Sequence, residues 1–487
     1  MKTMPLAKTA EQQEFWEKFK PVNRTVMTDT YKRTMAGTSA VFADLQANYY
    51  LAARKPLNEP AANGRLIVAG LEKVLYPTFG TAITQAEVDR GAQYAANAVV
   101  KKFPQKAWDL TLANGGYMPL DIYALPGGQT ILAKDGKHVP IMSVEGVGAL
   151  VSHIEPTLTT LYKPMIHATK ARLMRDVVDP QHFAEFGLRC EDGNVHVPLL
   201  LALHVGGGFT KTSNDYARYL FPELFTDIGT VGHEFAMAYQ TRDRTLLESQ
   251  EVAYREFIKG NDVAALLPDV VDTLNVGLPL IQKLKQEFAG TAKIIFPRFD
   301  SGNVPTQCAI WKHMLETAGH KVDGMVVEDG YTPTKARETF NLYKQAGGNP
   351  LDIVVGAGGY FADGCTRDAI SMAYKRSATL HPTGWETGIK FSDTPGKESI
   401  PGRVRVYEQG RKLIVAQADE KIDGTPLMIP VVLNGRYVYN EDLATQQARA
   451  QATWNKYDTV EYSPLTQQIM DQRLAEKEEV LAHFSAK

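Results

Sequence analysis

The feature that most constrains this chain is a strand ending that recurs at a fixed interval. Three apolar runs close on polar or glycine residues: IIFPRFDSG reaches Asp300, GMVVEDG reaches Asp329, and DIVVGAGG reaches Gly358 and Gly359. Asp300 to Asp329 and Asp329 to Gly358 are each 29 residues apart, the length of a strand, a crossover helix and a return. Strands joined in this way run parallel and bring those residues to one edge of a sheet, where such folds place their chemistry. No GxGxxG follows an early strand, so a barrel-like α/β domain is expected rather than a dinucleotide-binding sheet.

The rest of the chain reads around that core. RLIVAG at 65–70, PLDIYALPGG at 118–127 and HVPIMSVEG at 138–146 read as strands closed by glycine or proline. Thr84 and Glu87 have capping-box spacing ahead of a helical apolar pattern. Beyond residue 400, Asn434-Gly435 between alternating segments signals a hairpin, and the polar tail from Glu441 reads as helical. A chain of 487 residues has room for two or three domains at about 150 residues each. The expected division is an N-terminal α/β domain over 1–149, an α/β barrel over 150–400, and a C-terminal segment over 401–487 that packs with the first.

Composition removes several function classes. Lys and Arg total 53 against 55 Asp and Glu, and 44% of residues are hydrophobic, which excludes a disordered chain and disfavours nucleic acid as the main partner. No apolar run reaches the 18 or more residues of a membrane span. Lys8, Glu11 and Glu14 interrupt the start of the chain before any apolar segment forms, unlike a secretory signal. Cys190, Cys308 and Cys365 are too few and too scattered for a disulfide framework, so a cytoplasmic home is expected.

Four constellations could carry chemistry. In GTVGHEF, His233 sits among small residues that leave its ring approachable, although a lone histidine is more often structural. RFDSGN puts Arg298, Asp300 and a glycine after a strand; Asp300 can accept two sugar hydroxyls, or the segment is only a turn capping the next helix. In VVGAGGYFADGCTRDAISMAYKRSA, Gly356, Gly358 and Gly359 could form an anion nest. Arg367 and Lys375 downstream are eight residues apart, about two turns on one helical face, which would neutralise a phosphate or simply face solvent. In FGLRC, Phe186 offers a flat apolar face and Arg189 an anion clamp, or they are a core phenylalanine beside a surface arginine.

Taken together in chain order, these segments resemble the nicotinate and nicotinamide phosphoribosyltransferases, the type II phosphoribosyltransferases. TDTYKRTM at 28–35 is similar to the family's N-terminal motif, FGLRC to its phosphate-binding segment and FTKTSND at 209–215 to its central loop. GTVGHEFAMAYQ at 229–240 is similar to its phospho-histidine segment, and LLPDVVDTL at 266–274 to its aspartate loop. RFDSGN resembles its ribose-binding strand end, and VEDG at 327–330 with GAGG at 356–359 resemble its 5'-phosphate loops. The resemblance implies an irregular α/β barrel with a second, smaller α/β domain formed from both chain ends. It also implies a homodimer with shared sites, in which Tyr31 of one subunit and Phe186 of the other sandwich a pyridine ring.

The implied reaction is attack of a pyridine nitrogen on C1 of 5-phosphoribosyl 1-pyrophosphate, with release of pyrophosphate. The resemblance places Arg189, Gly358 and Gly359 near the 5'-phosphate. Arg367, Lys375, Lys390 and Lys397 would surround pyrophosphate. Asp300 would hold ribose hydroxyls with Asp329 and Gly330 nearby, and Asp269 would act directly or through Mg2+. His233 would be phosphorylated by ATP. For the base, Ser213 can donate to a carboxylate without repelling it, whereas an acidic neighbour such as Asp215 would favour an amide; Arg298 suits either substituent. Nicotinate is therefore the expected base and nicotinamide the alternative. A sugar-phosphate hydrolase or aldolase would share Asp300 and the glycine nest but gives Tyr31 and His233 no role. A noncatalytic ligand-binding relative would keep the fold alone.

Overall fold

The computed structural model describes residues 9–134, 136–393 and 398–485; Lys8 and Lys397 lie outside them. Two compact units form, one from residues 1–169, 198–206 and 364–487 and the other from residues 170–197 and 207–363. In the second unit seven strands pair in parallel, in the order Val263–Leu266, Ile294–Phe299, Met325–Val327, Ile353–Ala357, Phe183–Glu185, Lys211–Thr212, Thr226–Asp227. This is the open parallel sheet of a half-barrel, and the 29-residue interval is its cause. Helices Val304–Thr317 and Pro333–Gln345 are the crossovers, each burying an apolar side that includes Trp311 and Tyr343. Phe299 pairs with Val327 and Val327 with Val355, so Asp300 and Glu328 leave the sheet next to each other and beside Gly356, which is still paired with Ala184.

The chain-end unit is built on an antiparallel sheet of seven strands. Gln46–Ala53 lies between Met372–His381 and Pro140–Val147, followed by Leu120–Ala124 and the hairpin Ile429–Leu433 with Arg436–Tyr437. At the hairpin tip Asn434 and Gly435 have φ of 45° and 75°, the left-handed pair that a two-residue turn requires. The helix Gln85–Asn97 begins with the Thr84–Glu87 capping box. Tyr50, Leu51, Ile122, Met142 and Val144 are fully buried and form the centre of a continuous apolar core.

One expectation on this side is corrected. Arg367 and Lys375 do not share a helical face. Arg367 lies in the short turn Arg367–Ala369 and Lys375 in the strand Met372–His381. The glycine run opens only a single helical turn, Gly359–Ala362. Pairing with Gln46–Ala53, more than 300 residues earlier in the chain, overrides any local helical preference. The chain-end unit, expected to be the smaller, takes the larger share of the chain.

Candidate active site

In the half-barrel unit the C-terminal ends of the parallel strands bring the sequence motifs together. His233 opens the short helix His233–Met237, and its Nε2 lies 3.0 Å from Asp269 Oδ1. Asp269 follows the strand Val263–Leu266, and its second oxygen accepts from the Ser301 hydroxyl at 2.6 Å. A carboxylate can only accept, so Nε2 carries a proton, and in the neutral tautomer this selects the lone pair is on Nδ1. That Nδ1 lies 4.0 Å from Asp300 Oδ2. The His233 side chain is 39% exposed, so its nucleophilic nitrogen remains approachable while its orientation is fixed.

Arg298 ties the neighbouring strand ends together. Its guanidinium donates to the Thr230 hydroxyl and to the Val231 carbonyl, the latter at 3.0 Å, and lies 3.6 Å from Asp300 Oδ2. Its Nε is 3.4 Å from Glu328 Oε1, an ion pair short of hydrogen-bond geometry. Burial pushes the Glu328 carboxyl up; Arg298 opposes this, Asp300 adds to it, and Arg189 opposes it more weakly. Asp329 has φ of 75° and Gly330 of 64°, so the chain turns sharply away directly after Glu328. Glu328, not Asp329, is therefore the residue next in line along the edge. A side chain at Gly356 would meet Glu328 Cγ at 2.6 Å and the edge of the Phe186 ring at 2.7 Å, so the Glu328 side chain and the Phe186 ring both lie against the space that glycine leaves open.

The Phe186 turn and the Gly358 turn touch through their backbones. The Phe186 N–H donates to the Ala357 carbonyl at 3.1 Å, and a Cβ on Gly358 would come within 2.4 Å of Gly187 Cα. Glycine at both positions is what permits this approach. Arg189 is exposed in the turn Leu188–Cys190, and Ser213 is exposed ahead of the helix Asp215–Leu220.

The chain-end unit holds the remaining candidates. Tyr31 is half exposed, and its hydroxyl donates to Glu155 Oε2 at 3.4 Å. Burial opposes the charge on the adjacent Lys32, but the hydrogen bond to Glu155, the charge of Glu155 and a smaller contribution from Tyr31 together outweigh it and keep the pKa raised. Lys375 is paired with Tyr50 in the sheet. Burial lowers its pKa, Glu155 opposes the shift, and the charges of Arg54, Lys390 and Lys32 add to it. Arg54 is likewise lowered by burial, with Tyr50 opposing and Arg367 contributing. Five cations thus act on one another in this unit. Two of them, Lys32 and Arg54, were not singled out from the sequence; the Ala-Arg-Lys end of a buried strand was the available signal for Arg54. The buried Glu185 and His196, and Glu328, were missed as well.

No family model matches the chain. It is 26% identical over 306 residues to a nicotinate phosphoribosyltransferase of Bacillus subtilis (strain 168), covering 62% of this chain and 57% of that protein. It is 24% identical over 331 residues to a nicotinate phosphoribosyltransferase of Mycobacterium tuberculosis, covering 65% and 64%. These matches span less than two thirds of the length of either relative. Human nicotinic acid phosphoribosyltransferase superposes with a TM-score of 0.65 at 17% identity, covering 92% of this chain and 100% of that structure. Over part of its length the chain is thus similar in sequence to nicotinate phosphoribosyltransferases, and it shares the fold of the human protein. A nicotinate-nucleotide pyrophosphorylase from Pyrococcus furiosus shares the fold at 16% identity, with a TM-score of 0.60 and coverage of 91% and 97%.

Among the described residues no cluster of three or more His, Cys, Asp or Glu side chains is arranged to hold a metal ion. Mg2+ needs no such cluster, because it takes one or two carboxylates and completes its shell with water and substrate phosphates. Asp269 and Asp300 are hard oxygen donors of the kind it uses. Among the described residues no helix is long and apolar enough to cross a membrane.

Proposed function

We propose that this chain is a nicotinate phosphoribosyltransferase that makes nicotinate mononucleotide from nicotinate and 5-phosphoribosyl 1-pyrophosphate, in NAD biosynthesis, with ATP hydrolysis coupled to synthesis. The observation that carries the reading is the His233–Asp269–Asp300 arrangement at the strand ends of a chain matched to that family. Asp300 accepts ribose hydroxyls and offsets positive charge that develops on the sugar as the leaving group departs. Arg189, Asp329, Gly330, Gly358 and Gly359 hold the 5'-phosphate region. Arg54, Arg367, Lys375, Lys390 and Lys397 supply the cations that pyrophosphate needs. Mg2+ at Asp269 supplies further neutralisation of phosphate charge when bound.

His233 accepts the γ-phosphoryl group of ATP at Nδ1 as the bond to the β-phosphate breaks and ADP leaves, Asp269 stabilises the positive charge gained by the ring through the Nε2 proton, and water later cleaves the N–P bond to release phosphate and restore the free imidazole. The new group adds about −1.5 to −2 charges near Asp300 and Arg298, enough to reorganise the pyrophosphate region and its magnesium. In the same reading the enzyme is a cytoplasmic homodimer, and a second copy supplies Tyr31 to stack on the base opposite Phe186. Such stacking contributes about 0.5–1.5 kcal/mol beyond burial. Ser213 donates to the nicotinate carboxylate.

A second reading, nicotinamide as the base, draws on Glu328, whose carboxylate beside Phe186 could accept an amide N–H. Incubation with γ-labelled ATP and Mg2+ tests the coupled mechanism. An acid-labile, alkali-stable label that His233→Ala abolishes is expected, and equal labelling of that variant would place the nucleophile elsewhere.

A further inference from the structure

Beneath the Phe186 turn lies a closed polar network that the mechanism above leaves unused. Glu185 ends the strand Phe183–Glu185 and is 2% exposed. Its Oε1 accepts from the backbone N–H of Gly187 and from His196 Nε2 at 3.1 Å. Its Oε2 accepts from the Thr212 hydroxyl at 2.9 Å, and its carbonyl accepts from the Ser213 N–H at 3.0 Å. Asn214 closes the ring: its Oδ1 accepts from the Ala217 N–H at 3.1 Å, which leaves Nδ2 to donate to His196 Nδ1 at 2.8 Å. The sequence of donors and acceptors fixes the imidazole as neutral, with its proton on Nε2 and aimed at the carboxylate.

A buried carboxylate is a poor way to fill space, since an apolar residue of similar volume often serves stability as well or better. What Glu185 does that an apolar residue cannot is bind groups from two separate turns at one point. Gly187 belongs to the turn carrying Phe186 and Arg189; Thr212 and Ser213 belong to the other turn. His196, from the first turn of the helix Gly193–Gly207, braces the carboxylate against Asn214, so neither turn can move without breaking the ring. His196 and Asn214 are themselves buried. We propose that Glu185 and His196 are positioning residues that fix the spacing between the Phe186 and Ser213 turns, so that recognition of the planar base, and not of the phosphoribosyl donor, depends on them. The inference rests on the phosphoribosyl-transfer reading for the identity of the base.

The test compares His196→Ala with His196→Gln, because a glutamine amide can accept from Asn214 and donate to Glu185 as the neutral imidazole does. In the unliganded protein, His196→Ala should speed hydrogen exchange at the Gly187 and Ser213 amides about tenfold or more. It should also raise the KM for nicotinate by about tenfold or more while the KM for 5-phosphoribosyl 1-pyrophosphate stays within about twofold, the scale of a small misplacement. His196→Gln should restore both readouts. Thr212→Val, which removes one donor only, should show the same split at smaller size and serves if His196→Ala does not fold. Equal shifts in both KM values, unchanged exchange in a folded His196→Ala protein, or a glutamine variant no better than alanine would overturn the proposal. Exchange needs no turnover, so an inactive wild-type protein whose amides respond as expected counts against the transfer reading and leaves the clamp between the turns standing.

Discussion

Two adjacent glycines should respond very differently to the same substitution. A Cβ on Gly358 would lie 2.4 Å from Gly187 Cα, 2.5 Å from Gly187 N and 2.6 Å from the Phe186 carbonyl carbon. All three are backbone atoms, so no side chain can rotate aside and the two turns must separate. Overpacking of this kind costs about 1–3 kcal/mol. At about 2–4 °C per kcal/mol for a unit of this size, Gly358→Ala should lower Tm by roughly 2–12 °C. Because the glycine turn carries proposed phosphate contacts, the variant should also lose the thermal protection that 5-phosphoribosyl 1-pyrophosphate gives the wild type. Gly359 is the control. A Cβ there meets only Cys190 Sγ, at 4.0 Å, so Gly359→Ala should change stability by no more than about 0.5 kcal/mol. Differential scanning calorimetry of both variants, with and without the phosphoribosyl donor, makes the comparison. Equal Tm values for the two would refute the close approach of the Phe186 and Gly358 turns.

Three further outcomes are expected. Asp269→Asn removes a charged hydrogen bond from His233 worth about 1.5–3 kcal/mol, so labelling by γ-labelled ATP should slow by roughly 10- to 150-fold; an unchanged rate would remove Asp269 from the step. Tyr31→Ala and Asp300→Ala proteins, each inactive alone, should regain partial turnover when co-refolded, and demonstrated heterodimers without activity would argue for sites built from one chain. Burial raises the Glu72 carboxyl from 4.5 to about 7, with Gln446 as its hydrogen-bond partner. The folded state therefore binds that proton more tightly, and its contribution to stability falls as pH rises from about 4.5 to about 7, by about 3 kcal/mol. Glu72→Gln should accordingly be the more stable protein at pH 8 and show little difference near pH 4, as read from denaturant midpoints; a gap that is the same at both pH values would contradict the assignment.

The half-barrel was legible because strand, helix and turn signals there are local and repeat at a fixed interval. The site was legible to the extent that its residues follow strand ends directly, as Asp300 and Phe186 do. Glu328 was passed over for Asp329 because register, invisible in one sequence, decides which residue leaves the sheet first. Arg367 and Lys375 were misplaced for a related reason: ISMAYKRSA becomes a strand only through a partner at Gln46–Ala53. Glu185 and His196 are eleven residues apart and meet Thr212 and Asn214 only in the folded unit, so no spacing rule points to them.

The central claim is transfer of a phosphoribosyl group to a pyridine nitrogen, and product analysis with purified protein tests it most directly. With 5-phosphoribosyl 1-pyrophosphate and Mg2+, nicotinate, nicotinamide and quinolinate are supplied in turn, with and without ATP, and nucleotide and pyrophosphate are both quantified. Nicotinate mononucleotide and pyrophosphate are expected in equal amounts, faster with ATP than without and faster from nicotinate than from nicotinamide. Nucleotide from none of the three bases, with the phosphoribosyl donor left intact, would contradict that claim.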